Sequence, residues 1–137
     1  MLVCDTSGLI AYFDRSDANH GRVSSVIDGE AGPFIVSPYV LAEVDYLLAT
    51  RRDVQAELAA LRELSGGAWE LPSCEVADVR RACDLVERYE DQGIGLTDAS
   101  LVILARRYRT DRLLTLDVRH FRVMRTSAGK SFTLLPS

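Results

Sequence analysis

Leu2-Val3-Cys4 is an apolar run without polar alternation, and it ends abruptly in Asp5-Thr6-Ser7. A strand with one solvated face alternates polar and apolar residues. An unbroken short apolar run instead suits a strand buried on both faces of a parallel sheet. In open α/β sheets the functional crevice lies at the carboxyl ends of the strands. The run therefore predicts an interior strand with Asp5 at the crevice.

The rest of the chain supplies matching strands and helices. Gly8–Phe13 reads as a short helix ending near Asp14. Asp17 is placed as the N-cap of a second helix, with His20, Val23 and Ile27 at helical spacing. After the breaks at Gly29 and Gly32-Pro33, Phe34-Ile35-Val36 is a strand. Ser37 caps a third helix with Pro38 at its first position and Val40, Leu41, Val44, Leu47 and Leu48 as its buried stripe. Asp53 caps a fourth, carrying Val54, Leu58, Leu61 and Leu64, which Gly66-Gly67 stops.

Ala68–Leu71 is a short third strand. Ser73 caps a helix with Val76, Val79, Cys83 and Val86 on one face. Thr97 caps another, with Leu101, Leu104, Ala105 and Tyr108 inward. Leu113–Leu116 is an interior strand and Phe132–Leu135 a last one. Strands alternating with helices predict an α/β fold with a mostly parallel central sheet of four to five short strands and helices on both faces. Residues 1–137 form one domain on this reading, which is long enough for a real core.

Charge is unevenly placed within a net of −4. Residues 1–100 carry 8 Arg against 18 acids, whereas residues 101–137 carry 7 Arg and Lys130 against Asp111 and Asp117. A basic segment in an acidic chain points to a phosphate-bearing partner, although a solvated helix face and a basic tail would look the same. Cys4, Cys74 and Cys83 are odd in number and lack metal-type spacing, so they read as reduced core residues. No apolar run approaches the length of a membrane span and no signal peptide is evident, which predicts a cytoplasmic protein.

Four acids fall where they can meet. Asp5 and Asp117 each follow an apolar strand. Glu43 lies three residues after Val40 and four before Leu47, at the edge of a buried stripe. Asp98 lies in the first turn of its helix, three residues before Leu101. Each has an ordinary explanation alone: a cap, a complement to the helix dipole, a turn, or an Arg partner. Together those explanations fail, because clustered buried carboxylates repel unless paired or bound to metal. Several hard oxygen ligands suit Mg²⁺ or Mn²⁺ and not zinc. A carboxylate-held Mg²⁺ is the usual equipment for phosphodiester cleavage.

Asp5-Thr6-Ser7, Ser37-Pro38-Tyr39-Val40-Leu41-Ala42-Glu43, Leu96-Thr97-Asp98-Ala99-Ser100-Leu101 and Leu114-Thr115-Leu116-Asp117-Val118-Arg119-His120-Phe121 resemble the four acidic motifs of PIN domains. Size and motif wording are similar to VapC-type toxins, over essentially the whole chain. The resemblance implies a Mg²⁺/Mn²⁺-dependent endoribonuclease, the toxin of a toxin–antitoxin pair. It also implies a homodimer and a small antitoxin encoded beside it. Asp5, Glu43, Asp98 and Asp117 then form the catalytic and metal-binding cluster. Asp5 and Asp98 are central, Glu43 and Asp117 bind directly or through water, and Thr6 or Thr115 gives hydroxyl support.

Two rivals remain open. A receiver domain or haloacid-dehalogenase-type phosphatase also uses a crevice aspartate. The receiver needs adjacent acids and a late Lys, but Lys130 is the only lysine; the phosphatase needs an acid where Ser7 stands. A non-catalytic RNA- or protein-binding module would be expected to lack part of the acid set. His20 reads as a core residue and the role of His120 stays open. Arg119 and Arg122, just after Asp117, are expected to contact RNA phosphates. Arg106, Arg107, Arg109 and Arg112 are weaker candidates, because that helix end points away. Leu9, Ile10, Tyr12 and Phe13, with Tyr39, Tyr46 and Leu47, are expected to offer apolar surface to a second copy and an antitoxin segment.

Overall fold

The computed structural model describes every residue from Met1 to Ser137. In chain order the elements are β1 (Leu2–Cys4), α1 (Thr6–Phe13), α2 (His20–Asp28), β2 (Phe34–Val36), α3 (Pro38–Arg51), α4 (Val54–Leu64) and β3 (Trp69–Glu70). They continue with α5 (Val76–Arg88), α6 (Leu96–Arg107), β4 (Arg112–Leu114), α7 (Val118–Val123) and β5 (Thr133–Leu135). The sheet order is β3-β2-β1-β4-β5 and every pairing is parallel. This is the expected fold class, with five strands. Leu2, Val3 and Cys4 are fully buried at the centre of the sheet.

The order of the strands creates the site. From β1 the chain steps outward to β2 and β3, then returns to the other side of β1 for β4 and β5. Right-handed crossovers in opposite directions put α1–α4 on one face and α5–α7 on the other. Between β1 and β4 the connections diverge and leave a crevice at the carboxyl ends. The Asp5 N–H donates to the Leu114 carbonyl at 2.8 Å, tying the two strand ends together there.

Gly8 lets α1 lie against β4. A Cβ at this position would come within 2.8 Å of Leu114 Cγ and 3.0 Å of the Leu114 carbonyl oxygen. Gly8→Ala is expected to destabilise the fold by about 1–3 kcal/mol through overpacking, despite alanine's better helix propensity. A thermal melt checks this; an unchanged midpoint would mean that α1 shifts freely from β4.

Several local expectations are corrected. α1 is not an open docking surface: Leu9 and Ala11 are fully buried, Ile10 nearly so, and Tyr12 and Phe13 pack on Trp69. Val76, Val79, Cys83 and Val86 face solvent, while Ala82 carries the buried face of α5. The reason is competition: α6 is apolar almost all round and is covered by the small-residue face of α5. Val54 and Leu58 are likewise exposed, with Ala60 and Leu64 inward on α4. Glu75 and Asp78 cap α5 reciprocally, with Ser73 beside them. Thr97 lies inside α6 and does not cap it. Asp17 bonds the Asn19 N–H just before α2. Cys4 is core as expected, whereas Cys74 is half-buried. No helix is long and apolar enough to cross a membrane.

Candidate active site

Asp5, Glu43, Asp98 and Asp117 line one cavity of about 360 Å³ at the β1–β4 switch point. Each arrives from a different element. Asp5 is the N-cap residue of α1 and its Oδ1 accepts the Thr6 N–H at 2.8 Å. Its Oδ2 accepts the Thr115 hydroxyl at 2.8 Å. Thr115 Oγ1 also accepts the Asp117 N–H at 3.0 Å, so one hydroxyl orients two acid segments. Ser7 Oγ accepts the Leu116 N–H at 2.9 Å and locks the loop after β4 onto α1.

Glu43 is exposed and not at a buried stripe edge as expected. Its carboxylate is nevertheless fixed by two hydroxyls, Thr6 Oγ1 at 2.6 Å and Thr97 Oγ1 at 2.9 Å. Thr6 and Thr115 therefore both give support, to different acids. A buried bond between Ser37 and Ser100 hydroxyls at 2.7 Å joins the starts of α3 and α6, so Glu43 and Asp98 share a frame.

His120 takes a definite place. Its Nδ1 lies 3.1 Å from Asp98 Oδ2 and 3.3 Å from Asp117 Oδ2, so the Nδ1–H faces both carboxylates. His20 bonds the Ala11 carbonyl through Nδ1 at 2.9 Å, the structural role expected.

Electrostatics mark the cavity as short of positive charge. Asp5 is only 5% exposed. Burial pushes its pKa up to about 6; the Thr115 and Thr6 hydrogen bonds oppose the rise, while Asp98 and Asp117 add to it. Asp98 is raised mainly by burial and by Asp117, with His120 acting against the rise. The one Arg in the lining is Arg51. In their present rotamers no three His, Cys, Asp or Glu side chains are close enough to hold an ion together. The donor chemistry still fits a hard divalent cation: four carboxylates face one cavity, and burial leaves the deepest without the positive charge its ionised form calls for.

The sequence matches the PIN domain family over residues 2–125. The chain belongs to that family, and within it to the VapC type. A curated relative, Ribonuclease VapC26 of Mycobacterium tuberculosis, is 53% identical over 135 residues, covering 98% of this chain and all of the relative. Two crystal structures share the PIN fold. VapC20 of M. tuberculosis, a sarcin-ricin loop cleaving toxin, has a TM-score of 0.77 at 20% identity, over 82% of this chain and 87% of its own. FitAcB of Neisseria gonorrhoeae has a TM-score of 0.67 at 15% identity, over 88% of this chain and 91% of its own.

Against the PIN frame, the two expected phosphate contacts sit outside the cavity. Arg119 and Arg122 are exposed on α7, a helix not anticipated from sequence. Arg51, Asp17 and Ser7 line the cavity and were not foreseen. Glu43, Leu47 and Arg51 are spaced at i, i+4 and i+8 on α3, so a row running from the acid leads to Arg51. That spacing was the available signal. For His120 the signal was partial: its contact with Asp117 is at i, i+3, but its contact with Asp98 spans 22 residues.

Proposed function

We propose that the chain is a Mg²⁺- or Mn²⁺-dependent endoribonuclease, the toxin of a toxin–antitoxin pair that acts in the cytoplasm by cutting cellular RNA and stopping translation. The observation that carries this reading is the meeting of Asp5, Glu43, Asp98 and Asp117 at the switch point of a PIN fold. The VapC26 relative is named a ribonuclease, and its similarity extends over all of its length.

Asp5 and Asp98 would hold the ion, with Glu43 and Asp117 joining directly or through water. When bound, such an ion activates water and neutralises charge on the cleaved phosphodiester. The chain's own residues set the geometry. Thr115 aims Asp5 and the loop to Asp117, Thr6 and Thr97 aim Glu43, and His120 bridges Asp98 and Asp117 and holds them together despite their like charge. Arg51 supplies a cation at the cavity wall for an RNA phosphate. Arg119 and Arg122 would hold the strand further out along α7.

An antitoxin segment has a place beside the acids. Ala42, Glu43, Tyr46 and Leu47 line a groove of about 510 Å³ that shares Glu43 and Leu47 with the acidic cavity. An amphipathic helix seated there would block RNA entry. A homodimer completes the reading.

The test is cleavage of total cellular RNA by purified protein, with mapping of the new ends. Mn²⁺ should support cutting at defined sites, and EDTA or Asp98→Asn should stop it. Arg119→Ala/Arg122→Ala should flatten the salt dependence of RNA binding by roughly one unit of slope per lost contact. Cutting that survives EDTA would defeat the metal-dependent reading.

A further inference from the structure

We propose that the surface at the amino ends of the strands is a second RNA contact, which grips the phosphate backbone far from the acidic cavity. The inference rests on the ribonuclease reading and adds a site to it. The surface holds a cavity of about 600 Å³ whose lining includes Arg106, Arg109, Arg112 and Lys130, against one acid, Asp111. Arg112 is paired with Glu30, but the Arg106, Arg109 and Lys130 side chains have no partner within the chain. Arg106 also borders two adjoining hollows that bring Arg81 and Arg125 to the same face.

Cations at the end of a helix complement its dipole, and Arg106 and Arg107 do so on α6. That accounts for two residues of the face and not for Arg109 or Lys130. Arg109 lies just past the helix in the left-handed region, with φ +54°, the chain's one non-glycine residue with positive φ. The turn there is closed by Thr110 N–H to the Ala105 carbonyl at 3.0 Å. Glycine is the usual residue at this position because it has no Cβ to strain. The chain instead keeps a strained arginine, and a strained backbone held at a charged cavity is a mark of function.

The lining selects the kind of ligand. Thr110, Thr126 and Ser127 add hydroxyls to the cations, and no aromatic side chain is present. Protein interfaces are anchored by aromatic residues, and single-stranded base recognition needs stacking platforms. A surface of guanidinium, ammonium and hydroxyl groups fits phosphates and carries no base code. Its distance from the acids sets its role. Asp98 and Arg106 lie at opposite ends of α6, about 12 Å apart along the axis. The phosphate held at Arg109 is therefore not the one that is cut. The contact anchors a long or folded RNA while another part of it enters the acidic cavity.

The test is RNA binding in EDTA, so that nothing is cut, using a folded stem–loop RNA over a salt series. Arg106→Ala/Arg109→Gly/Lys130→Ala should lose at least about tenfold in affinity and roughly three units of salt slope, one for each lost contact. Arg109→Gly alone should lose about one unit while its melting temperature rises by a few degrees, because the left-handed strain is relieved; this variant keeps the test sound if the triple change disturbs folding. An unchanged affinity and slope would overturn the proposal. So would RNA binding that stays intact while binding of poly-glutamate is lost, which would assign the face to an acidic protein segment. Cleavage by the unaltered protein in Mn²⁺ is scored separately. Its absence defeats the nuclease reading without touching the binding result.

Discussion

Asp5→Asn is expected to raise the thermal stability of the metal-free protein at neutral pH while abolishing RNA cleavage. The folded pKa of Asp5, about 6, lies above the ordinary value of 3.8. The native state therefore binds this proton more tightly than the unfolded chain does. The stability contributed by this group is complete below about pH 3.8 and is lost as pH rises to about 6. At pH 7 the buried carboxylate costs on the order of 3 kcal/mol, at 1.36 kcal/mol per pKa unit. Asparagine removes that charge, and its Oδ1 still accepts the Thr6 N–H. Its amide faces Thr115 Oγ1, whose hydroxyl can turn to accept. Loss of a central ligand should lower kcat/KM by at least roughly 10³-fold, about 4 kcal/mol of transition-state stabilisation. Melts of both proteins across this pH range check the first half and RNA cleavage the second. A variant less stable than the parent at pH 7 would contradict the charge argument.

Mn²⁺ is expected to stabilise the protein strongly at pH 7 and weakly at pH 5. A ligand that binds only the folded state at a hundredfold excess over its Kd adds about 2.7 kcal/mol. For a chain of this length that is on the order of 10 °C in Tm. Protons compete for the same carboxylate oxygens, so the gain should shrink as pH falls through about 6, where Asp5 takes up a proton. EDTA should abolish the gain, and Asp98→Asn should reduce it. Melting curves indifferent to both Mn²⁺ and EDTA at pH 7 would remove metal from the mechanism.

Position along strands and helices was legible in the sequence; side-chain partners were not. Leu2-Val3-Cys4 reads as an interior strand because all three residues are apolar, and β1 is the central strand. Asp5, Asp98 and Asp117 could be placed because strand ends and helix starts share one edge of a parallel sheet. Glu43 was assigned correctly to the cavity on a mistaken ground, since hydroxyls and not burial hold it. The stripe on α5 misled for a similar reason. Periodicity tells which residues share a face but not which face a neighbour covers, and α6 chose the side bearing Ala82. The role of His120 depends on how α7 packs beside α6, and α7 is too short to show a period.

The joint between β1 and β4 also governs when the four-acid cavity forms. Thr115 and Asp5 are 110 residues apart in the chain, with Glu43 and Asp98 between them and Asp117 just beyond. Asp5 emerges from the ribosome early, but its hydroxyl partner and the last acid come near the end of synthesis. The central strand has only β2 beside it until β4 arrives, and such distant pairing forms slowly. A growing chain thus carries no assembled four-acid cavity near the RNA of the ribosome that is making it. On the toxin–antitoxin reading, an antitoxin would have an interval, set by the order of the strands, in which to meet this chain before the acidic cavity closes.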